Sequence, residues 1–435
     1  MNPTGITPPA SGTATPNTIS SLADQHIANQ APNSNLLPKA TGSVAALDAS
    51  ALKITRNASP REVPALNDPA IASSSICTDH MVTVSWTLNQ GWHTPELKPY
   101  GPFSIMPTAS VFHYATECFE GMKLYRGHDN KLRFFRPNRN CERMRGSVNR
   151  IALPDFDPKE LEKLILTLAK IDGPKWLPRD SHKGKFLYCR PTMISDDASL
   201  GVQRPKQALL FVILTVFPDM SDPKALDIQS SGLPAETNQI HGLKLLASTE
   251  DTIRAWPGGF GYAKLGANYG PSLVSQGVAR DRGFNQILWL LGPESHVTEA
   301  GASNFFVVWR NKETNETELV TAGLEDKVIL EGVTRASILQ LAEERLGSEL
   351  KVVERKYTMQ ELKEAVDEGR CIEAFAAGTA FFVAPVGLIE WKGKELRIPT
   401  SEGATGKYAR LLRGWLSAIM YGEEKHEWGV VIEED

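Results

Sequence analysis

Residues 254–271 read RAWPGGFGYAKLGANYGP, a stretch that sets one lysine, Lys264, among five glycines, two prolines and two tyrosines. Glycine lets a backbone pass close to a ligand and adopt φ > 0, so an amine in such a loop can be held against a flat, bulky group. Burial removes part of the solvation that favours a charged amine; its pKa falls and it becomes a nucleophile toward an aldehyde. Lys264 is therefore the candidate Schiff-base lysine. A glycine-rich surface turn has the same composition, and the rest of the chain must decide between the two.

The chain has 435 residues, 41% hydrophobic and 23% charged, enough to bury a large core and to divide into two domains. A net charge of −4 gives no polyanion footprint, which argues against a nucleic-acid partner. Five widely spaced cysteines (Cys77, Cys118, Cys141, Cys189, Cys371) form no CxxC pair, so neither a disulfide framework nor a zinc site is expected. The longest apolar run, 208–217, is too short to span a bilayer and reads as a buried strand. Residues 1–75 contain no aromatic side chain and are rich in Ser, Thr, Ala, Asn and Pro, the composition of a mostly disordered extension, with 47–57 the place where order could begin. They show neither an Arg-rich amphipathic start nor a secretory pattern, and a cytosolic location is expected.

Strand and helix patterns alternate on both sides of a polar stretch, 218–242, which carries Pro218, Pro223 and Pro234 and reads as a connection between domains. The expected division is 76–217 for a smaller α/β domain and 243–435 for a larger one. Asp157 and Pro158 form an N-cap and first-turn pair, followed by Leu161, Leu164, Ile165 and Leu168 at helical spacing. Strands are expected at 131–135, 186–194, 208–217, 286–291, 304–310, 351–357 and 371–376. Helices are expected at 335–346, at 358–368 from a Thr358/Glu361 capping box, and at 407–420.

Nine further strings accompany the lysine loop: TDHM (78–81), HYATECFEGMK (113–123), FRPNRNCERM (135–144), LYCRP (187–191), SLGV (199–202), TEAGASN (298–304), EGVTR (331–335), AGTA (377–380) and HEW (426–428). In content and order they resemble the branched-chain amino-acid aminotransferases, pyridoxal-phosphate enzymes of fold type IV. The resemblance implies a two-domain α/β enzyme with α and β segments segregated within each domain, a site at the domain interface, pyridoxal 5'-phosphate as cofactor, and a homodimer. It implies transfer of an amino group between a branched-chain amino acid and 2-oxoglutarate.

By that resemblance Lys264 holds the cofactor and moves the substrate's proton, Glu299 holds the ring nitrogen, and Tyr269 meets the phenolic oxygen. Arg143, the amides of Val333 and Thr334 at a helix start, and Thr379 match the phosphate site. Tyr188 and Arg190 match positions that grip substrate carboxylates, with Arg190 facing the γ-carboxylate of glutamate. Tyr114, Phe119, Ala302 and Ala380 match the side-chain pocket, and Leu200 and Val202 match a loop inserted into the neighbouring subunit. The chain departs from the pattern at Ala302 and Ser303, where the family commonly has Thr-Met, and at Phe381 and Ala384, where animal members carry a CxxC. The first departure supports a second reading, a relative acting on a bulkier apolar amino acid in a specialised biosynthetic pathway. A catalytically silent binding protein is a third, opposed by the intact Lys264, Glu299, Tyr269 and Arg143.

Overall fold

The computed structural model describes residues 44–218, 241–379, 382–400 and 405–434. The connection expected at 218–242 falls almost wholly outside these, as do Ala380, Phe381 and the greater part of the N-terminal extension. Two large sheets dominate. The first is built from β1 (Lys53–Ile54), β2 (Cys77–Thr87), β3 (Gly91–Trp92), β4 (Glu96–Pro99), β5 (Glu117–Phe119), β6 (Met122–Arg126), β7 (Leu132–Phe135), β8 (Phe186–Ile194), β9 (Gln207–Val216) and the last strand, β19 (Gly429–Ile432). Its main path runs β1-β4-β2-β9-β8-β6-β7-β19, with β3 on β2 and β5 on β8. The second holds β10 (Leu243–Ala247), β11 (Gln286–Leu291), β12 (His296–Ala300), β13 (Ser303–Arg310), β14 (Thr317–Thr321), β15 (Lys351–Glu354), β16 (Cys371–Gly378), β17 (Phe382–Trp391) and β18 (Lys394–Arg397). Its order is β12-β11-β10-β17-β16-β13-β14-β15, with β18 on β17.

The helices are α1 (Ser110–Tyr114), α2 (Pro137–Arg150), α3 (Pro158–Trp176), α4 (Ser272–Asp281), α5 (Val333–Leu346), α6 (Met359–Asp367) and α7 (Lys407–Tyr421). In α3 the Asp157 side chain accepts the Lys159 amide, and Leu161, Leu164, Ile165 and Leu168 are buried on one face. That face joins α2 and the first sheet in one apolar cluster, which also takes in Ala263 and Leu265 from the lysine loop. Burying the two residues that flank Lys264 fixes the loop to the core without a regular element of its own. The capping box of α6 is complete, since Thr358 accepts the Glu361 amide and the Glu361 carboxylate accepts the Thr358 amide. A second cluster joins side chains of β6, β7 and β8 to α5, α7 and the second sheet.

From residue 45 the chain is placed against the first sheet, a stretch that contains 47–57, where order could begin. Lys53 and Thr55 donate their amides to the carbonyls of Pro95 and Leu97, which makes β1 an edge strand on β4. Asn57 donates its amide to Nε2 of His80 at 2.8 Å, and Arg61 donates its amide to Asp79 at 2.7 Å. Composition measures whether a segment can bury a core of its own. This segment instead pairs its backbone with a sheet edge and with side chains already in place. The strand expected at 351–357 is shorter, because the chain leaves β14 after Glu354 and turns toward the α6 cap.

Candidate functional site

The backbone of Lys264 is held from two sides. Its amide donates to Oγ of Ser147 on α2 at 2.9 Å, and its carbonyl accepts the amide of Phe119 at 3.1 Å, beside an isolated bridge between Cys118 and Leu265. The side chain then lies over aromatic faces. Nζ is 5.0 Å from the Phe119 ring centre and donates to the Tyr269 hydroxyl at 3.0 Å, while the Phe119 and Tyr269 rings are 5.1 Å apart. A short turn at Gly266–Asn268 brings Tyr269 back to the amine.

Two buried carboxylates face this amine. Glu120 accepts from Nε and Nη2 of Arg143 at 2.7 and 2.8 Å, and from Nδ2 of Asn140 at 2.9 Å. Burial alone would raise the Glu120 carboxyl, but the charge and hydrogen bonds of Arg143, with Lys264 and Asn140, hold it below its usual range. Glu299, on β12, accepts from Nδ2 of Asn304 and the amide of Leu330, both at 3.1 Å and both on Oε1. Its Oε2 is 2.8 Å from Nη1 of Arg254, within ion-pair distance but not aligned as a hydrogen bond. Burial pushes the Glu299 carboxyl above its usual range, against Arg254, the Leu330 amide, Lys264 and Arg143.

The residues expected to bind an anion, Arg143, Val333, Thr334 and Thr379, line neighbouring crevices. α5 opens with Gly332 at its N-cap and no side-chain cap, so the first-turn amides of Val333 and Thr334 have no such partner. Arg143 reaches across to donate Nη1 to the Glu331 carbonyl at 2.9 Å. A cavity of about 330 Å³ opens there, lined among others by Arg143, Ser147, Tyr262, Gly332 and Val333. Thr379 donates to the Gly121 carbonyl at 3.4 Å and shares a small crevice with Asn140, Val333 and Thr334.

Arg190 also meets the Phe119 ring. Its guanidinium sits 4.7 Å from the Phe119 ring centre and 5.1 Å from that of Tyr188, and Nη2 donates to the Tyr188 hydroxyl at 3.3 Å. Its Nε is buried without a hydrogen bond, and among the described residues the guanidinium has no carboxylate partner. Gly121 makes this corner possible, since a Cβ there would come within 1.9 Å of the Tyr188 hydroxyl. Tyr188 is backed by Phe217, stacked at 4.9 Å.

Tyr114, Leu200 and Val202 form a separate group. The Tyr114 hydroxyl donates to the Leu200 carbonyl, and Leu200 and Val202 are 56% and 88% exposed. Ala302 is exposed in the turn between β12 and β13, whereas Ser303 is buried with its Oγ toward Gly378. Ala380 lies outside the described residues. Residues in the contact shell not singled out from sequence include Glu120, Asn140, Ser147, Arg254 and Asn304. All but Ser147 lie inside the quoted strings, but a lone Glu, Arg or Asn carries no mark of the partner it meets only in the fold.

The amino-transferase class IV family matches residues 117–389. The chain is 45% identical over 394 residues to the cytosolic branched-chain-amino-acid aminotransferase of Saccharomyces cerevisiae, covering 89% of this chain and 98% of that protein. It is 42% identical to the mitochondrial branched-chain-amino-acid aminotransferase of Schizosaccharomyces pombe, over 88% of this chain and 85% of that one. Among solved structures, a branched-chain aminotransferase of Thermoproteus uzoniensis with norvaline superposes with a TM-score of 0.61 at 21% identity, over 81% of this chain and 100% of that chain, a likeness of fold.

Proposed function

Since the chain belongs to the branched-chain-amino-acid aminotransferase family, we propose that it exchanges amino groups between leucine, isoleucine or valine and 2-oxoglutarate, with pyridoxal 5'-phosphate as cofactor. The observation that carries this is the meeting of Lys264 Nζ with the Tyr269 hydroxyl at 3.0 Å, between buried carboxylates and an anion site. The residues fit the cofactor. Glu299 Oε2 is buried without a hydrogen bond, and a protonated ring nitrogen is the donor it lacks. Arg143 uses three of its five N–H groups on Glu120 and the Glu331 carbonyl, which leaves two for a phosphate beside the open amides of α5. When bound, the cofactor supplies an aldehyde that takes up the amino group and a ring that draws electrons from the substrate Cα.

The chain's own residues do the rest. Lys264 Nζ would take the proton from the substrate Cα as a general base and, as the resulting ammonium, would give it up as an acid at the carbon that carried the aldehyde oxygen. Tyr269 keeps that amine aimed, and Phe119 shields it from water on one side. Arg190, stacked on Phe119 and lacking a carboxylate partner among the described residues, binds the second carboxylate of glutamate. An apolar side chain can instead lie against the Phe119 and Tyr188 rings. The two sheets serve as the two domains, with the site at their junction. Cytosolic placement is part of the proposal by analogy with the relative named cytosolic.

Arg190→Met tests the dual-substrate reading. It is expected to weaken the 2-oxoglutarate half-reaction by about 2–5 kcal/mol while sparing the leucine half-reaction, because only the former brings a second carboxylate to a desolvated guanidinium. Single-turnover rates measured separately decide this; equal losses in both would reassign Arg190 to structure. The homodimer is tested at Val202, whose exposure suits insertion into a neighbour. Val202→Glu is expected to halve the mass seen by light scattering and to lower activity at dilute protein. A dimer with wild-type turnover would remove this loop from the partner's site.

A further inference from the structure

The first residue of the lysine loop has no part in the roles set out above, yet its side chain is 5% exposed and its Nη1 lies 2.8 Å from Oε2 of Glu299, itself 2% exposed. Its only other close polar atoms among the described residues are the carbonyls of Val328 at 3.4 Å and Gly261 at 3.5 Å, both at the limit of a hydrogen bond. A planar guanidinium held so loosely by neutral groups and so closely by one carboxylate acts on that carboxylate. The loop is shaped for this approach. A Cβ on Gly261 would come within 2.3 Å of the Ala255 Cβ and 2.6 Å of the Val328 carbonyl, so glycine lets the loop press onto Val328 and carry Arg254 beneath Glu299.

Resting on the cofactor reading above, we propose that Arg254 is a positioning residue that keeps Glu299 ionised with Oε2 presented to the ring-nitrogen proton of pyridoxal 5'-phosphate. A buried carboxylate with two neutral donors on one oxygen tends to take up a proton, and a protonated Glu299 would offer the ring nitrogen nothing to hold its own. Arg254 opposes that tendency without occupying the oxygen, because the ion pair is close but misaligned and leaves a lone pair for an N–H donor. The other charged groups that act on Glu299 are Lys264 and Arg143. Lys264 changes its charge as it handles the substrate proton, and Arg143 is committed to Glu120. Arg254 is thus the cation dedicated to Glu299.

The sign of the pH effect follows. A carboxyl raised above its ordinary value of 4.5 binds more protons folded than unfolded, so it subtracts stability as pH rises from the unfolded value through the folded one. Removing Arg254 raises the folded value further and widens that interval upward. The test compares full-length wild type, Arg254→Met, Arg254→Lys and Arg254→Met/Glu299→Gln, stripped of cofactor and then reloaded. Without cofactor, Arg254→Met is expected to melt about 5 °C or more below wild type near pH 8.5, with the deficit at least halved near pH 5, and the double variant should lose this pH-dependent part. Arg254→Lys should recover most of it. After reloading, Arg254→Met should retain the cofactor on dialysis at least about tenfold less well near pH 8, a loss of about 1.4 kcal/mol. A deficit that is flat with pH, or that persists in the double variant, would make Arg254 a packing residue and overturn the proposal. If Arg254→Met does not fold, folding of the double variant supports the proposal and its failure overturns it. A wild-type chain that holds no pyridoxal phosphate defeats the cofactor reading, while the melting series still decides the ion pair.

Discussion

Lys264→Ala is expected to leave a folded protein whose transamination falls by at least 10²–10⁴-fold, the range typical of losing a positioned proton-transfer group alone. The further loss of the amine that holds the cofactor makes this a lower bound. Folding should survive because the loop is fixed by its neighbours. Ala263 and Leu265 are buried in the first core, and the Lys264 amide and carbonyl are held by Ser147 and Phe119 through backbone atoms that alanine keeps. The side chain contributes a hydrogen bond to Tyr269, its placement over two rings and a charge that acts on Glu120 and Glu299. Borohydride reduction of the wild-type holoenzyme, followed by peptide mapping, locates the lysine that holds the cofactor. Attachment at Lys123 or Lys327, or turnover by Lys264→Ala within tenfold of wild type, would remove Lys264 from the chemistry.

The elements that positioned this lysine were legible where local pattern and tertiary fate coincide. Phe186–Ile194 and Gln286–Leu291 read as strands because both are short apolar runs buried within sheets, and α3 and α6 read as helices because caps and apolar spacing agree. The site was legible only through the strings that resemble a family, since Lys264, Glu299 and Arg143 are separated by tens of residues and share no local period. What the strings left unread are the partners of charges. Glu120 stands between Phe119 and Gly121 as an unremarkable acid in a strand connection, and nothing nearby in sequence says that both its oxygens face Arg143. The same holds for Arg254 and Glu299, joined only when the loop folds back on Val328. Lys53–Ile54 join the first sheet for a related reason, because an edge strand that borrows its hydrogen bonds needs no aromatic core of its own.

The Glu120–Arg143 pair carries the second large expectation, and it separates a structural charge from a functional one. Glu120 is fully buried and the Arg143 side chain is 12% exposed, so Glu120→Gln keeps the shape but strands a guanidinium without its counter-charge. Breaking such a pair typically costs about 3–5 kcal/mol, and the cofactor-free variant should melt well below wild type. The pH dependence should change in a defined direction. A carboxyl held below its ordinary value of 4.5 contributes stability that is fully present above that value and is lost as pH falls through the lower, folded value. Glu120→Gln should therefore show its largest deficit at neutral pH and converge on wild type in acid. Adding pyridoxal 5'-phosphate should then recover more stability in Glu120→Gln than in wild type, because the phosphate restores a negative charge beside the two N–H groups that Arg143 leaves open. Inorganic phosphate at high concentration should reproduce part of that recovery. Melting curves with and without each anion decide the matter: an equal shift in both proteins would mean that Arg143 serves Glu120 alone, and the phosphate would have to be held by the α5 amides and Thr379 without it.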